Sequence, residues 1–293
     1  MFVRAAAGML AAALLAGCAP TTAERYDAMT AAMERRGLMR TEIAPADALF
    51  GNAELIRNFE RIAFFSEFAE PEDGPEGVRL VERVTPSPLF RWTGPVRWKI
   101  EGDGADEADR AAMRRLAGRL AAATGLVFEE VEADPNMAIL IASDQVRRDF
   151  VGMIREAGLE SRMALAKAWA RQDRFPCVGQ IGSSGAGADR QVRALVLIKA
   201  ETQGVLREAC LHEEVAQSLG LPNDDFTVRP SIFNDDQEFA LLTAHDAWLL
   251  RILYDPRLRH GMEAAEGMPI VRRIVAEIGP DRGGRLPPGA LGE

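Results

Sequence analysis

Between Cys210 and Asp225 the chain gathers Glu213, Glu214, Gln217, Asn223, Asp224 and Asp225, all bearing side-chain oxygen. Glu213 and Gln217 stand four apart, so on a helix they share one face. Gly220 can end that helix at positive φ and turn the chain back, which would bring Asn223 toward the same point from beyond the turn. One carboxylate and two carboxamides make a poor zinc set, because zinc prefers imidazole and thiolate. Oxygen donors suit Ca²⁺ or Mg²⁺ better, but a single charge would need help from Asp224 or Asp225. If a divalent ion did bind, Glu214 could act as general base on its water. The reading preferred from the residues is a hydrogen-bonded polar cluster of Glu213, Gln217 and Asn223 without metal, and no cofactor is expected. His212 opens a shifted His-Glu pair, yet no histidine follows at ligand spacing, so it is read as a core histidine. His245 and His260 lie elsewhere. Gly182 to Gly187 lacks both a nucleophile elbow and a P-loop lysine and is read as a surface loop.

The elements that must hold this stretch can be read from periodicity. Residues 21–40 form a polar amphipathic helix. A second helix is expected over Pro45–Phe68, with Leu55, Ile56, Phe59, Ile62 and Phe65 on one face. Glu70 to Gly77 is an acidic Pro/Gly loop, followed by a short edge strand over Val78–Val84. Val96, Trp98 and Ile100 alternate as a strand, and Asp106–Thr124 is a helix closed by Gly125. Strands follow near Leu126–Val131 and over Met137–Ile141, then a helical stretch over Val146–Gln172. Gly179–Gly187 is turn-rich, Val192–Ile198 is a buried strand, and Ala200–Leu219 and Leu242–Tyr254 are helices. Gly279–Glu293 is a loose tail. The class is α+β.

The N-terminus bounds the compartment. Met1 to Arg4 is a short basic start, and Ala5 to Ala16 is an apolar run. Twelve residues make a helix of roughly 18 Å, too short to span a bilayer, so the segment reads as a secretory signal. Leu15-Ala16-Gly17-Cys18 resembles the lipobox of bacterial lipoproteins. That resemblance implies cleavage after residue 17 and lipidation of Cys18, with Ala19 favouring the outer membrane. The expected address is the periplasmic side of the envelope, with the membrane as a partner through the lipid. Cys177 and Cys210 remain as an even pair in an oxidising compartment. Two free thiols are the alternative to a disulfide, which is the preferred reading. Net charge is −9 with a pI near 5.1 and no Lys/Arg cluster, which argues against a nucleic-acid partner.

From Glu213 to Asn223 the chain reads E-E-x-x-Q-x-x-G-x-x-N, which resembles the metzincin zinc motif H-E-x-x-H-x-x-G-x-x-H with all three histidines replaced. Glu214 and Gly220 match the catalytic glutamate and the glycine. Pro230 to Asn234 resembles a Met-turn carrying Phe233, and Leu242 to Tyr254 resembles the closing helix of matrixin-type domains. Gly125–Val131 and Asn136–Ile141 resemble the strand pair after the first helix. Taken whole, the chain resembles the bacterial envelope family called domain of unknown function 2927, through Asn58–Ala63, Arg91–Val96, Glu213–Asp224 and Pro230–Asp235. The resemblance implies a zincin-like domain over residues 86–258: a small mixed sheet with an active-site-type helix. It would follow a signal peptide (1–17) and an anchor with N-terminal helices (18–85), and precede a C-terminal helix and tail (259–293). The expected function is a non-catalytic module that binds a peptide, protein or cell-wall component. The alternative is a metal-dependent hydrolase using Glu214.

Overall fold

The computed structural model describes residues 19–74, 77–159, 162–184 and 191–280. The residues expected to be a signal segment, Cys18 and the residues beyond 280 lie outside them. The described part is α+β. Helix α1 (Thr22–Arg35) is followed by α2 (Asn52–Ala63) and a hairpin of β1 (Phe65–Gly74) and β2 (Gly77–Pro86). Then come β3 (Val96–Glu101), α3 (Glu107–Thr124), β4 (Phe128–Glu130), β5 (Met137–Ala142), α4 (Asp144–Glu156) and α5 (Ala164–Arg171). The chain continues through β6 (Cys177–Ser184), β7 (Gln191–Lys199), α6 (Gly204–Gln217), α7 (Ala244–Leu253) and α8 (Ala264–Ile278).

Five strands form one sheet in the order β4-β3-β5-β7-β6. The β3/β4, β3/β5 and β5/β7 pairs are parallel, and β6 runs antiparallel to β7 at the edge. Alternation sorts the side chains to two faces. Trp98, Ile100, Ile139, Ile141, Val196 and Ile198 join the large core under α2, α3, α6, α7 and α8. Leu140, Leu195, Leu197 and Val178 meet α4 and α5 through Ile154 and Trp169. Leu55, Phe59 and Ile62 of α2 and Val271 and Ile274 of α8 sit in the same large core. Apolar burial therefore runs continuously across positions 85 and 258.

Local chemistry explains several boundaries. The Asp106 carboxylate accepts from the Asp109 N–H to start α3, and Gly125 ends it at φ +73°. Thr243 and Asp246 cap α7 reciprocally. The helix expected over Pro45–Phe68 covers only Asn52–Ala63. From Phe65 the chain is extended instead, because its backbone groups pair with Gly77–Pro86 and not with a preceding turn. The loop expected at Glu70–Gly77 thus belongs to a ten-residue-stranded hairpin. Val146–Gln172 is two helices, and α8 is well formed. Gly179–Ser184, expected as loop, is strand, since β7 supplies an antiparallel partner. Among the described residues no helix is long and apolar enough to cross a membrane.

Candidate functional site

Helix α6 carries the acidic stretch, and its end is held by groups far away in sequence. Trp92 donates its indole N–H to the Ser218 carbonyl at 2.7 Å, and Tyr254 donates to the Leu219 carbonyl at 2.8 Å. These bonds satisfy carbonyls that a helix end leaves open. Gly220 turns the chain at φ +117°, where a Cβ would lie 2.0 Å from the Phe90 carbonyl oxygen. Only glycine fits there. Arg91 meanwhile donates to the carbonyls of Asp255 and Leu258. The Arg91-Trp92 pair is thus a clamp on the ends of α6 and α7.

Beyond Gly220 the return segment approaches α6, and Asp224 makes the contact. Gln217 donates to the Asp224 carboxylate at 2.8 Å. Asn223, the position expected to converge, instead donates to the Arg61 carbonyl of α2 at 2.9 Å, and its own Oδ1 has no partner. Neighbouring residues of an extended segment face opposite ways, so only one of the two can turn toward Gln217. Glu213 and Gln217 share the helix face as expected. The polar pair is therefore Gln217–Asp224, with Glu213 and Glu214 beside it.

These groups line a cavity of about 390 Å³. Its floor is α6, one wall is β6 at Val178–Ile181, and the other is β1 at Ser66–Phe68 with Arg174 and Phe175 alongside. Glu214 lies close beneath the Gly179 backbone. A Cβ at Gly179 would come within 2.9 Å of Glu214 Oε2, so glycine there lets the strand lie close over the helix. Arg174 is held away from the floor by Glu82 of β2, with one bond of 2.9 Å, and packs over Phe175. It ties the hairpin to the cavity rim.

Burial sets the electrostatics. The Glu67 carboxyl is pushed up to about 7, first by desolvation and then by Asp235 and Glu82, with Arg174 opposing. Asp224 is pushed up to about 8 by burial, Glu67 and Asp235, with its bond from Gln217 opposing. Glu213 and Glu214 are raised well above the ordinary carboxylate range by burial, with Asp224 the next cause for each. Carboxyls that face one another around a buried cavity push one another's pKa upward. At neutral pH the cavity is an acidic site that holds protons.

Among the described residues no three His, Cys, Asp or Glu side chains are arranged to hold a metal ion. The carboxyls spread around a cavity and do not meet at a point, so the residues present do not fit a metal centre. His212 is buried, accepts from the Leu242 N–H through Nδ1 at 3.0 Å, and is pushed down to about 3 by burial and by Arg119 and Arg115. It is a neutral core group. His245 accepts from Asn58 at 3.0 Å inside the core. Cys177 and Cys210 form a disulfide that joins the start of β6 to α6. Glu67, Arg174, Gln180 and Gln237 also line the cavity. No sequence signal pointed to them, because they come from separate elements. In the Pro230–Asn234 turn, Ser231 and the Ile232 N–H both bind the buried Asp246 carboxylate.

No curated protein and no solved structure matches the chain. Residues 52–273, which hold the whole cavity, the Arg91-Trp92 clamp and the disulfide, match the family described as protein of unknown function (DUF2927). The chain belongs to that family.

Proposed function

We propose that the chain is an exported lipoprotein, anchored at Cys18 in the envelope, whose zincin-like domain binds an extended peptide without cleaving it. The observation that carries this reading is the outer edge of β6 beside α6, which pairs with no strand among the described residues. Lys199 donates to the Pro176 carbonyl at 2.9 Å, which sets the alternation of the antiparallel ladder. Val178, Gln180 and Gly182 then turn their backbone groups toward β7. Cys177, Gly179, Ile181 and Ser183 turn theirs outward, and Gly179 and Ile181 line the cavity. An unpaired edge above a cavity is a site for strand addition, where backbone bonds supply affinity and the cavity selects a side chain. An antiparallel edge strand over the acidic helix is also what the zincin resemblance calls for, and the replaced histidine positions favour binding over hydrolysis. Hydrolysis would ask Glu214 to be an ionised base, whereas burial, and after it Asp224 and Glu67, pushes its carboxyl well above the ordinary carboxylate range.

The test is Ile181→Pro. Proline is tolerated on an edge where its missing N–H faces away from the ladder, so the fold survives while one outward donor is lost. With a peptide recovered from a random octapeptide display library, affinity should fall at least about tenfold. Unchanged affinity, or no peptide recovered by the wild-type chain, refutes strand addition at β6.

A further inference from the structure

Helix α1 begins where the chain is already fastened to the domain. Arg25 donates to the Pro20 carbonyl at 2.6 Å and pairs with Asp173, and Tyr26 donates to the Asp173 carbonyl at 2.7 Å. Tyr26 is also buried with Leu206 and Ala209 of α6. The turn that receives α1 is itself fixed to the sheet. Lys199, buried at the end of β7, donates to the Gln172 carbonyl at 2.8 Å and lies 3.6 Å from the Asp173 carboxylate. A stiff path therefore runs from Pro20 through α1 and the 172–173 turn to β7. Only Ala19 separates Pro20 from Cys18.

We infer that, with lipid on Cys18, this short leash lays the domain directly on the bilayer, and that the face in contact is the start of α1 with the Arg171–Asp173 turn. The inference rests on the lipoprotein reading and deepens it by naming the surface. Thr22 donates its hydroxyl to Asp173 at 3.5 Å. The chain from Cys18 to Thr22 spans at most about 14 Å even when fully extended. The five-stranded sheet is about 19 Å across. A leash shorter than the sheet is wide cannot bring the β4 edge to the membrane, nor let the domain tumble freely above it. Arg171 is exposed and forms no ion pair with a described residue. Its guanidinium is a donor fork that suits the phosphates of a headgroup layer. Arg174 and Phe175, next along the chain, line the cavity, so the face on the bilayer adjoins the peptide site.

The experiment places the photoreactive residue p-benzoylphenylalanine at Gln172 or, on the far edge of the sheet, at Val127; both positions are exposed. The full-length chain is expressed with palmitate labelling, irradiated in isolated membranes, and its phospholipid adducts are measured by mass spectrometry. The probe at Gln172 should give several-fold more adduct than the probe at Val127. A Gly/Ser linker of about twenty residues inserted between Ala19 and Pro20 lengthens the leash by roughly 25 Å on average. It should keep the palmitate label and remove most of the excess at Gln172. Level adducts at the two positions of a palmitate-labelled chain overturn this inference alone, as does an excess that the linker leaves unchanged. A chain that takes up no palmitate overturns the lipoprotein reading, and this inference with it.

Discussion

Glu67→Gln isolates the cost of holding an ionisable carboxyl in the cavity. In the folded chain the Glu67 pKa rises from an ordinary 4.5 to about 7, with burial the leading cause. A carboxyl with a higher pKa in the folded state binds its proton more tightly when folded. Its contribution to stability is therefore full below pH 4.5 and is lost as pH climbs from there through about 7. A rise of that size corresponds to roughly 3 kcal/mol. Because Glu67 is half-buried at a cavity wall, screening by water trims this to about 1–2 kcal/mol. Glutamine cannot ionise, so the variant escapes the loss. Its stability relative to wild type should improve by about 1–2 kcal/mol between pH 5 and pH 8. Asp224 moves in the same direction, since Glu67 is one of the causes of its own raised pKa. Urea unfolding followed by tryptophan fluorescence at both pH values, with the disulfide intact, measures the difference. Comparing the two pH values cancels any pH-independent cost of burying the amide. A variant-to-wild-type difference that stays constant with pH, or shrinks as pH rises, refutes the electrostatic account of the cavity.

Two further outcomes follow, the first from the structure and the second from the sequence. Serine at both Cys177 and Cys210 opens a loop of 33 residues and should cost about 3–4 kcal/mol in urea unfolding; a loss under about 1 kcal/mol would mean that the link constrains little. Cys18→Ser should abolish metabolic labelling with palmitate and release the chain from the membrane fraction, whereas retained label would place the lipid elsewhere.

How far the residues alone reach is best judged position by position. The helix start at Asp106 and the Gly125 stop were legible because they are local: three or four residues decide them. The i,i+4 pairing of Glu213 with Gln217 was legible for the same reason. The strand expected over Val78–Val84 is β2, but its partner β1 was hidden, because the apolar spacing of α2 runs on into Phe65 and nothing in that spacing says that the chain must stop and pair with residues beyond Gly77. Strand β6 was hidden behind its glycines, one of which serves close packing over Glu214.

Sequence by itself determined the helix-bearing acidic stretch, the even cysteine pair and the α+β class, each set by spacing within one segment or by composition. Tertiary structure alone decided that Asp224 faces Gln217 while Asn223 faces α2. It also brought Glu67, Gln180 and Gln237 to one cavity. The physical reason is that a side chain's direction depends on which distant backbone fixes its segment. Here the Arg61 carbonyl captures Asn223 across a separation of 162 residues, a contact that no local pattern encodes.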